Sequence, residues 1–588
     1  MRGSSECAAA QSARQLKVRG SSECAAAQSA QRFKVRGSSE CAAARKIPCL
    51  DSQHPVINLL NKDYFCFIIR VILMKYGGII MARQFISNPD YPVVETQWGK
   101  VKGFLLDGTF TFQGIQYAKA QRFHMPEDLE PWEDVKEATN YGCIAPTMGN
   151  PIPSGEILIP HRYWPENETC QFLNVWTRSL DKDAKKPVVV WFHGGGYNDG
   201  SSLEQVAYEG DALAEYGDVV VVTVNHRLNI LGFLDLSAYG EEYENSANAG
   251  IADLVAALKW VNKNIAGFGG DPENVLIFGQ SGGGGKVCTL LQTPAAAGLF
   301  HKAILMSGGA GFRPASGVDP REVVDAMLKA LGFEDVHQLE KIPYSLLVKA
   351  YYRACRKTGK QLQWSPKANG WYLGHPVQVG FSDYAKKVPT IVTSVISEFG
   401  AFLKDVDPAQ YFNGHDKEIG AAFDKAYPDK AGMNPAVAAD RNGVVNFLKA
   451  RAASDPETPG FGGELALVFD VNGGTPAWHC ADIPFVFHNA YRVGNCNIEG
   501  VTDKIEDDIA GALVAFARTG DPNHEGMVHW APFTSDCYAT MVFDRETACR
   551  VDHDAELREL LAKYAPVRAM RSTIPEEDEE ETGRAWLY

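Results

Sequence analysis

One serine in this sequence is framed for nucleophilic chemistry. Gly279-Gln280-Ser281-Gly282-Gly283 follows the apolar run Val275-Leu-Ile-Phe278 and precedes a helical stretch from Lys286 to Leu291. The pattern Gly-x-Ser-x-Gly between a strand and a helix places the serine on a sharp turn, with glycines letting neighbouring backbone pack against it. The motif recurs by chance, so the flanking elements carry the weight. A phosphate loop needs Gly six residues before Lys and Ser or Thr after it. Gln280 and Val287 stand there, so Gly282 to Lys286 is not one. The Ser-x-x-Lys pattern also fails, because Gly284 occupies the lysine position.

A second constellation is His193-Gly194-Gly195-Gly196, which follows the run Pro187 to Phe192. Glycine amides without side chains can point at a substrate carbonyl oxygen, the oxyanion-hole device of esterases and lipases. His193 reads as a structural histidine holding this loop. The general base must follow the nucleophile if the chain order is Ser, acid, His. The candidates are His301, His337, His375, His415, His479, His488, His524, His529 and His553. His479 opens a loop before the apolar run Ile483 to Phe487, which suits a base held by a rigid scaffold.

Positioning these groups requires a sheet. The β-branched runs Pro187 to Phe192, Val219 to Val224 and Val275 to Phe278 alternate with a helical stretch, Ile251 to Ile265, whose apolar residues recur at three-to-four spacing. Short apolar strands alternating with helices predict an α/β fold with a mostly parallel, doubly wound sheet.

With these motifs in place the sequence resembles the type-B carboxylesterase/lipase family, which includes cholinesterases and bacterial para-nitrobenzyl esterases. The resemblance covers roughly residues 90–550. Its blocks are Phe112 to Tyr117, Glu168-Thr169-Cys170 through Trp176, Asn225-His226-Arg227, Asn248 to Asp253, Phe268 to Pro272, and Phe516 to Asn523 with Trp530. It implies an α/β-hydrolase fold with helical insertions. It implies a carboxylic ester hydrolase working through an acyl-enzyme, with Ser281 as nucleophile, His479 as base and Glu398 as acid. The amides of Gly195, Gly196 and Gly282 would form the oxyanion hole. It implies two buried ion pairs, Arg122 with Glu168 and Arg227 with Asp253. Cys143 and Cys170 match positions that form a disulfide in secreted relatives; free thiols are expected if the protein is cytosolic.

The departures are specific. Thr169 replaces the family's Asp between Glu168 and Cys170, and Phe399 follows Glu398 where Gly is usual. Gly309 stands where cholinesterases place a serine supporting the acid, and Gln280 where they use Glu. Pro160 occupies their cation-binding tryptophan position, so a choline ester would lose its cation–π partner. Small uncharged esters are therefore expected. A lipase acting on longer acyl chains is the alternative within the fold. A non-catalytic adhesion-type relative is the alternative outside enzymology, disfavoured because every triad position is filled.

Glu398 also has an argument of its own. It follows Val388 to Ile396, the long β-branched run between Ser281 and His479, and so is delivered to a strand's carboxyl end. Asp383 precedes that run, while Asp405 and Asp407 lie well past it.

The bulk numbers set limits. A net charge of −15 disfavours nucleic acid, which needs a Lys/Arg excess. Residues 1–80 instead carry 12 Lys/Arg against 5 Asp/Glu, and repeat RGSSECAAA with a period of 17. These units have almost no large apolar residues and cannot build a core. In Tyr64 to Met81, Arg70 and Lys75 interrupt the apolar run, so no membrane span is expected. Residues 1–80 are read as a low-complexity extension, disordered or not native, with Met81 as the natural start. Residues 81–565 are read as the α/β-hydrolase domain and 566–588 as an acidic tail. The thirteen cysteines contain no CxxC, which fits a reducing, cytoplasmic setting of bacterial type. No cofactor and no metal is expected; the partner is a small-molecule ester, and oligomeric state is left open.

Overall fold

The strand pattern predicted around Ser281 is present. The computed structural model describes residues 84–149, 159–308, 317–370, 372–374 and 380–566. The repeats of residues 1–80, the Tyr64 to Met81 run, Gly309, His375 and the tail from residue 567 lie outside the described residues.

Twelve strands form the main sheet: β1 (Phe85–Ile86), β2 (Phe104–Leu106), β3 (Thr109–Gln116), β4 (Phe172–Thr177), β5 (Lys186–Phe192), β6 (Val220–Val224), β7 (Gly270–Gln280), β8 (Lys302–Met306), β9 (Thr390–Val395), β10 (Gly460–Leu465), β11 (Ala539–Phe543) and β12 (Ala548–Val551). Their spatial order is β1-β2-β3-β4-β6-β5-β7-β8-β9-β10-β11-β12. From β6 to β11 every neighbouring pair is parallel, and both flanks are antiparallel.

The parallel strands are apolar on both faces because both are covered. On β5, Val189 and Trp191 enter one buried cluster while Val188, Val190 and Phe192 enter the other. The same alternation splits Leu276 and Phe278 from Val275 and Ile277 on β7. Helix α1 (Ala249–Asn264) packs on the second face, matching the predicted helix within two residues. A third cluster joins α3 (Pro320–Leu331) and α4 (Tyr344–Thr358), the helical insertion. The whole is the α/β-hydrolase arrangement.

The chain leaves β5 to one side, forms β6, then crosses back to place β7 on the other side. Strand order therefore reverses between β5 and β7, and ligands of such sheets bind at the carboxyl ends of the strands beside that reversal. The register pairs Gly279 with Phe192, which brings the two glycine motifs to one edge.

The helix after Ser281, α2 (Gly282–Leu291), starts four residues earlier than the apolar pattern suggests. Glycines are poor helix formers, but the site demands them: a Cβ on Gly283 would stand 1.9 Å from the Phe192 carbonyl oxygen. Tertiary closeness overrides propensity here.

Candidate active site

Ser281 has φ +57° and ψ −123°, a conformation outside the ordinary regions for a residue with a side chain. The strain is held from both sides. Its N–H donates to the Met306 carbonyl on β8 at 2.8 Å, and its carbonyl accepts from Gly285 N–H at 3.1 Å. Ser307, Glu398 and Cys480 also hold positive φ. Such cost is sustained where surrounding structure over-determines the backbone.

The His193-Gly194-Gly195-Gly196 loop lies directly across the turn. A Cβ on Gly282 would stand 2.4 Å from Gly196 N, and one on Gly194 would stand 3.4 Å from Ser281 Cβ. Gly195 takes φ +79°, and its carbonyl accepts from Asn198 N–H at 3.2 Å and Asp199 N–H at 3.0 Å. Among the described residues, no acceptor takes the N–H of Gly195, Gly196 or Gly282. His193 is buried, stacks on His226 with centroids 5.2 Å apart, and its Nδ1 lies 2.9 Å from the Gly194 carbonyl. Burial pushes its pKa well down, with the charge of Lys286 next, so it stays neutral inside the loop.

Glu398 and His479 arrive from across the sheet. Beyond β9, Ser397 N–H donates to the Ala477 carbonyl at 3.2 Å and His479 N–H to the Glu398 carbonyl at 3.0 Å. This short parallel bridge pins the histidine loop to the strand extension carrying the acid. His479 Nδ1 donates to Glu398 Oε2, and the side chains are 5% and 18% exposed, so water competes little. Glu398 Oε1 accepts from Val395 N–H at 3.1 Å, which fixes the carboxylate.

Three further residues bear on the imidazole. The Phe399 ring packs on it with centroids 4.1 Å apart. The residue that broke the family pattern thus fills the space beside His479. Gln280 Nε2 lies 3.3 Å from His479 Nε2, and Gln280 Oε1 accepts from Cys480 Sγ at 3.1 Å. With Nδ1–H donating to Glu398, Nε2 accepts from that amide. The Ser281 hydroxyl makes no hydrogen bond among the described residues. Asp482 is buried in the next turn, and burial, then the charge of Glu398, push its carboxyl up to about 7. Sequence reasoning named Gln280 only as the residue before the nucleophile and passed over Asp482; the Gln280–Cys480 contact joins residues 200 positions apart.

Both expected ion pairs form, with one correction. Arg227 donates to Asp253 at 2.7 and 2.9 Å, the side chains 2% and 0% exposed. Arg122 Nε donates to Glu168 at 2.8 Å, but the Glu168 side chain is 33% exposed. That pair is half-buried, because Glu168 lies on a surface loop before β4. Cys143 and Cys170 are both free thiols.

Comparisons with known proteins identify the family. Residues 90–440 match the model of the carboxylesterase family. The chain is similar to the para-nitrobenzyl esterase of Bacillus subtilis, 32% identical over 493 residues, covering 80% of this chain and 98% of that one. It is similar to the phenmedipham hydrolase of Pseudarthrobacter oxydans at 31% identity, covering 78% and 96%. Among solved structures, an esterase from Clostridium hathewayi that can hydrolyse aliphatic aromatic polyesters is 46% identical. It superposes with a TM-score of 0.76, over 82% of this chain and 100% of that one. The chain belongs to the carboxylesterase family and is a serine hydrolase of carboxylic esters.

Proposed function

We propose that Ser281, His479 and Glu398 form the catalytic triad and that the amides of Gly195, Gly196 and Gly282 form the oxyanion hole. The observation that carries this reading is the buried His479–Glu398 pair, pinned by backbone hydrogen bonds at the edge where the strained Ser281 faces three amides without protein acceptors. His479 Nε2 takes the Ser281 proton as Oγ attacks the ester carbonyl. Glu398 holds the imidazole in the Nδ1–H tautomer and stabilises the imidazolium. The amides take the oxyanion, the proton passes to the departing alcohol, and water, deprotonated by His479, releases the acid.

The substrates are small uncharged esters. Pro160, in place of an aromatic cation-binding face, supports the absence of a charged alcohol. The 46% identity to the polyester-hydrolysing esterase extends the proposal to esters with aromatic acyl groups. The unit responsible is residues 81–565, so a chain beginning at Met81 should retain full activity. Free thiols at all eight described cysteines fit the proposed reducing, cytoplasmic setting. No helix among the described residues is long and apolar enough to cross a membrane.

The test is trapping with a fluorophosphonate, followed by peptide mass spectrometry. The adduct should map to Ser281 and disappear in Ser281→Ala, which should also lose ester hydrolysis while keeping its melting temperature. An adduct elsewhere, or hydrolysis by Ser281→Ala, contradicts the reading. A series of para-nitrophenyl esters from acetate to palmitate should show kcat/KM falling with chain length; a rise would favour the lipase alternative.

A further inference from the structure

One buried cation is left unused by this mechanism. Lys286 lies on α2, five residues after Ser281, and its side chain is 0% exposed. Its Nζ donates to the His193 carbonyl at 2.8 Å and lies 3.4 Å from the Gly194 carbonyl. The Gly194 carbonyl immediately precedes the Gly195 amide, and the His193 carbonyl precedes the Gly194 amide one peptide earlier in the same loop. A buried lysine is costly, and here burial pulls its pKa down to about 7, with the carboxylate of Glu204 opposing. An apolar residue would fill the same place without that cost, so the position asks for another explanation.

The geometry of the peptide group supplies one. The Gly194 carbonyl and the Gly195 N–H belong to a single planar unit, trans in this structure, so they point in opposite directions. Whatever holds the carbonyl down against α2 aims the N–H up at the substrate side. His193 Nδ1 also holds the Gly194 carbonyl, and Asn198 and Asp199 hold that of Gly195, which by the same reasoning aims the Gly196 N–H. Lys286 adds to this set a buried donor reaching from α2. It orients the peptides, and in its protonated form it also polarises them, adding positive potential behind the amides where negative charge develops.

We propose that Lys286 is a positioning residue of the oxyanion hole, locking the His193–Gly194 carbonyls from below so that the Gly195 amide faces the reacting carbonyl. The inference rests on the triad reading above. It makes Lys286 part of transition-state stabilisation rather than of substrate binding or of the core.

The experiment compares the full-length chain with Lys286→Met and Lys286→Gln, reading kcat, KM, melting temperature and affinity for an aryl trifluoromethyl ketone. That ketone forms a hemiketal oxyanion on the serine and so reports the hole directly. Lys286→Met should keep a folded protein and KM within about threefold, and lose about 10- to 100-fold in kcat. Affinity for the ketone should fall by a similar factor. Lys286→Gln, which keeps a neutral donor, should lose less. A folded Lys286→Met with kcat within twofold of the parent, or with ketone affinity unchanged, overturns the proposal. If Lys286→Met does not fold, the same two readings on Lys286→Gln decide it. Ser281→Ala separates the two levels: if it is inactive while Lys286→Met is normal, only this inference fails, and if it still hydrolyses esters both fall.

Discussion

The two halves of the candidate site are built by different means. The nucleophile half is local: Ser281, its glycines and the His193-Gly194-Gly195-Gly196 loop sit at the ends of adjacent strands β5 and β7, and the two backbones touch. Its geometry is enforced by the absence of side chains. The acid–base half is non-local: Glu398 and His479 are 81 residues apart, brought together by a two-residue backbone bridge and one side-chain hydrogen bond. Rigid close approach makes the first half intolerant of added atoms. Hydrogen bonding makes the second half tolerant of shape but sensitive to charge.

Substitutions can break that contrast. The largest effect belongs to Gly283→Ala, whose new methyl meets the Phe192 carbonyl oxygen at 1.9 Å. It should destabilise the protein by about 3 kcal/mol or more and abolish activity together with the fold, as urea melts would record. Glu398→Gln should do the opposite, keeping the melting temperature while cutting kcat by about two or more orders of magnitude, since an amide cannot stabilise the imidazolium. If Asp405→Asn or Asp407→Asn proves inactive instead, the acid lies elsewhere.

The two ion pairs sharpen the comparison outside the site. Arg227→Met leaves Asp253 buried and uncompensated and should cost about 3–5 kcal/mol. Arg122→Met should cost clearly less, because Glu168 can turn to water. Equal losses in urea melts would contradict the burial difference.

Asp482 gives the most pH-dependent effect. Its folded pKa, up at about 7, exceeds the ordinary 3.8, so the folded state holds the proton more tightly. Stability therefore declines as pH rises through that window. Asp482→Asn should remove the decline, gaining up to about 4 kcal/mol relative to the parent between pH 4 and pH 8. A difference independent of pH would show that the carboxyl is already ionised at low pH.

The same local/non-local contrast explains what was readable in the chain. The strands β5, β6 and β7, helix α1 and the serine turn are visible because apolar runs and glycine spacing are properties of neighbouring residues. The α/β-hydrolase fold was reached with the help of family resemblance, and the base and acid are proposed on the same ground, since nothing near His479 states which strand it will meet. Phe399 looked like a defect beside Glu398 and is instead the ring packed on His479. Lys286 looked like part of a failed phosphate loop and is instead beneath the glycine amides. Each contact depends on where the sheet puts the other partner, which local patterns do not encode.

The central claim is that Ser281, His479 and Glu398 act as one unit, and non-additivity tests it most directly. We expect kcat for a short-chain para-nitrophenyl ester to drop by a similar large factor in Ser281→Ala and His479→Ala, with the double variant costing little more. Losses that multiply in the double variant, at unchanged melting temperature, would mean that the two residues work independently, and the triad assignment would be wrong.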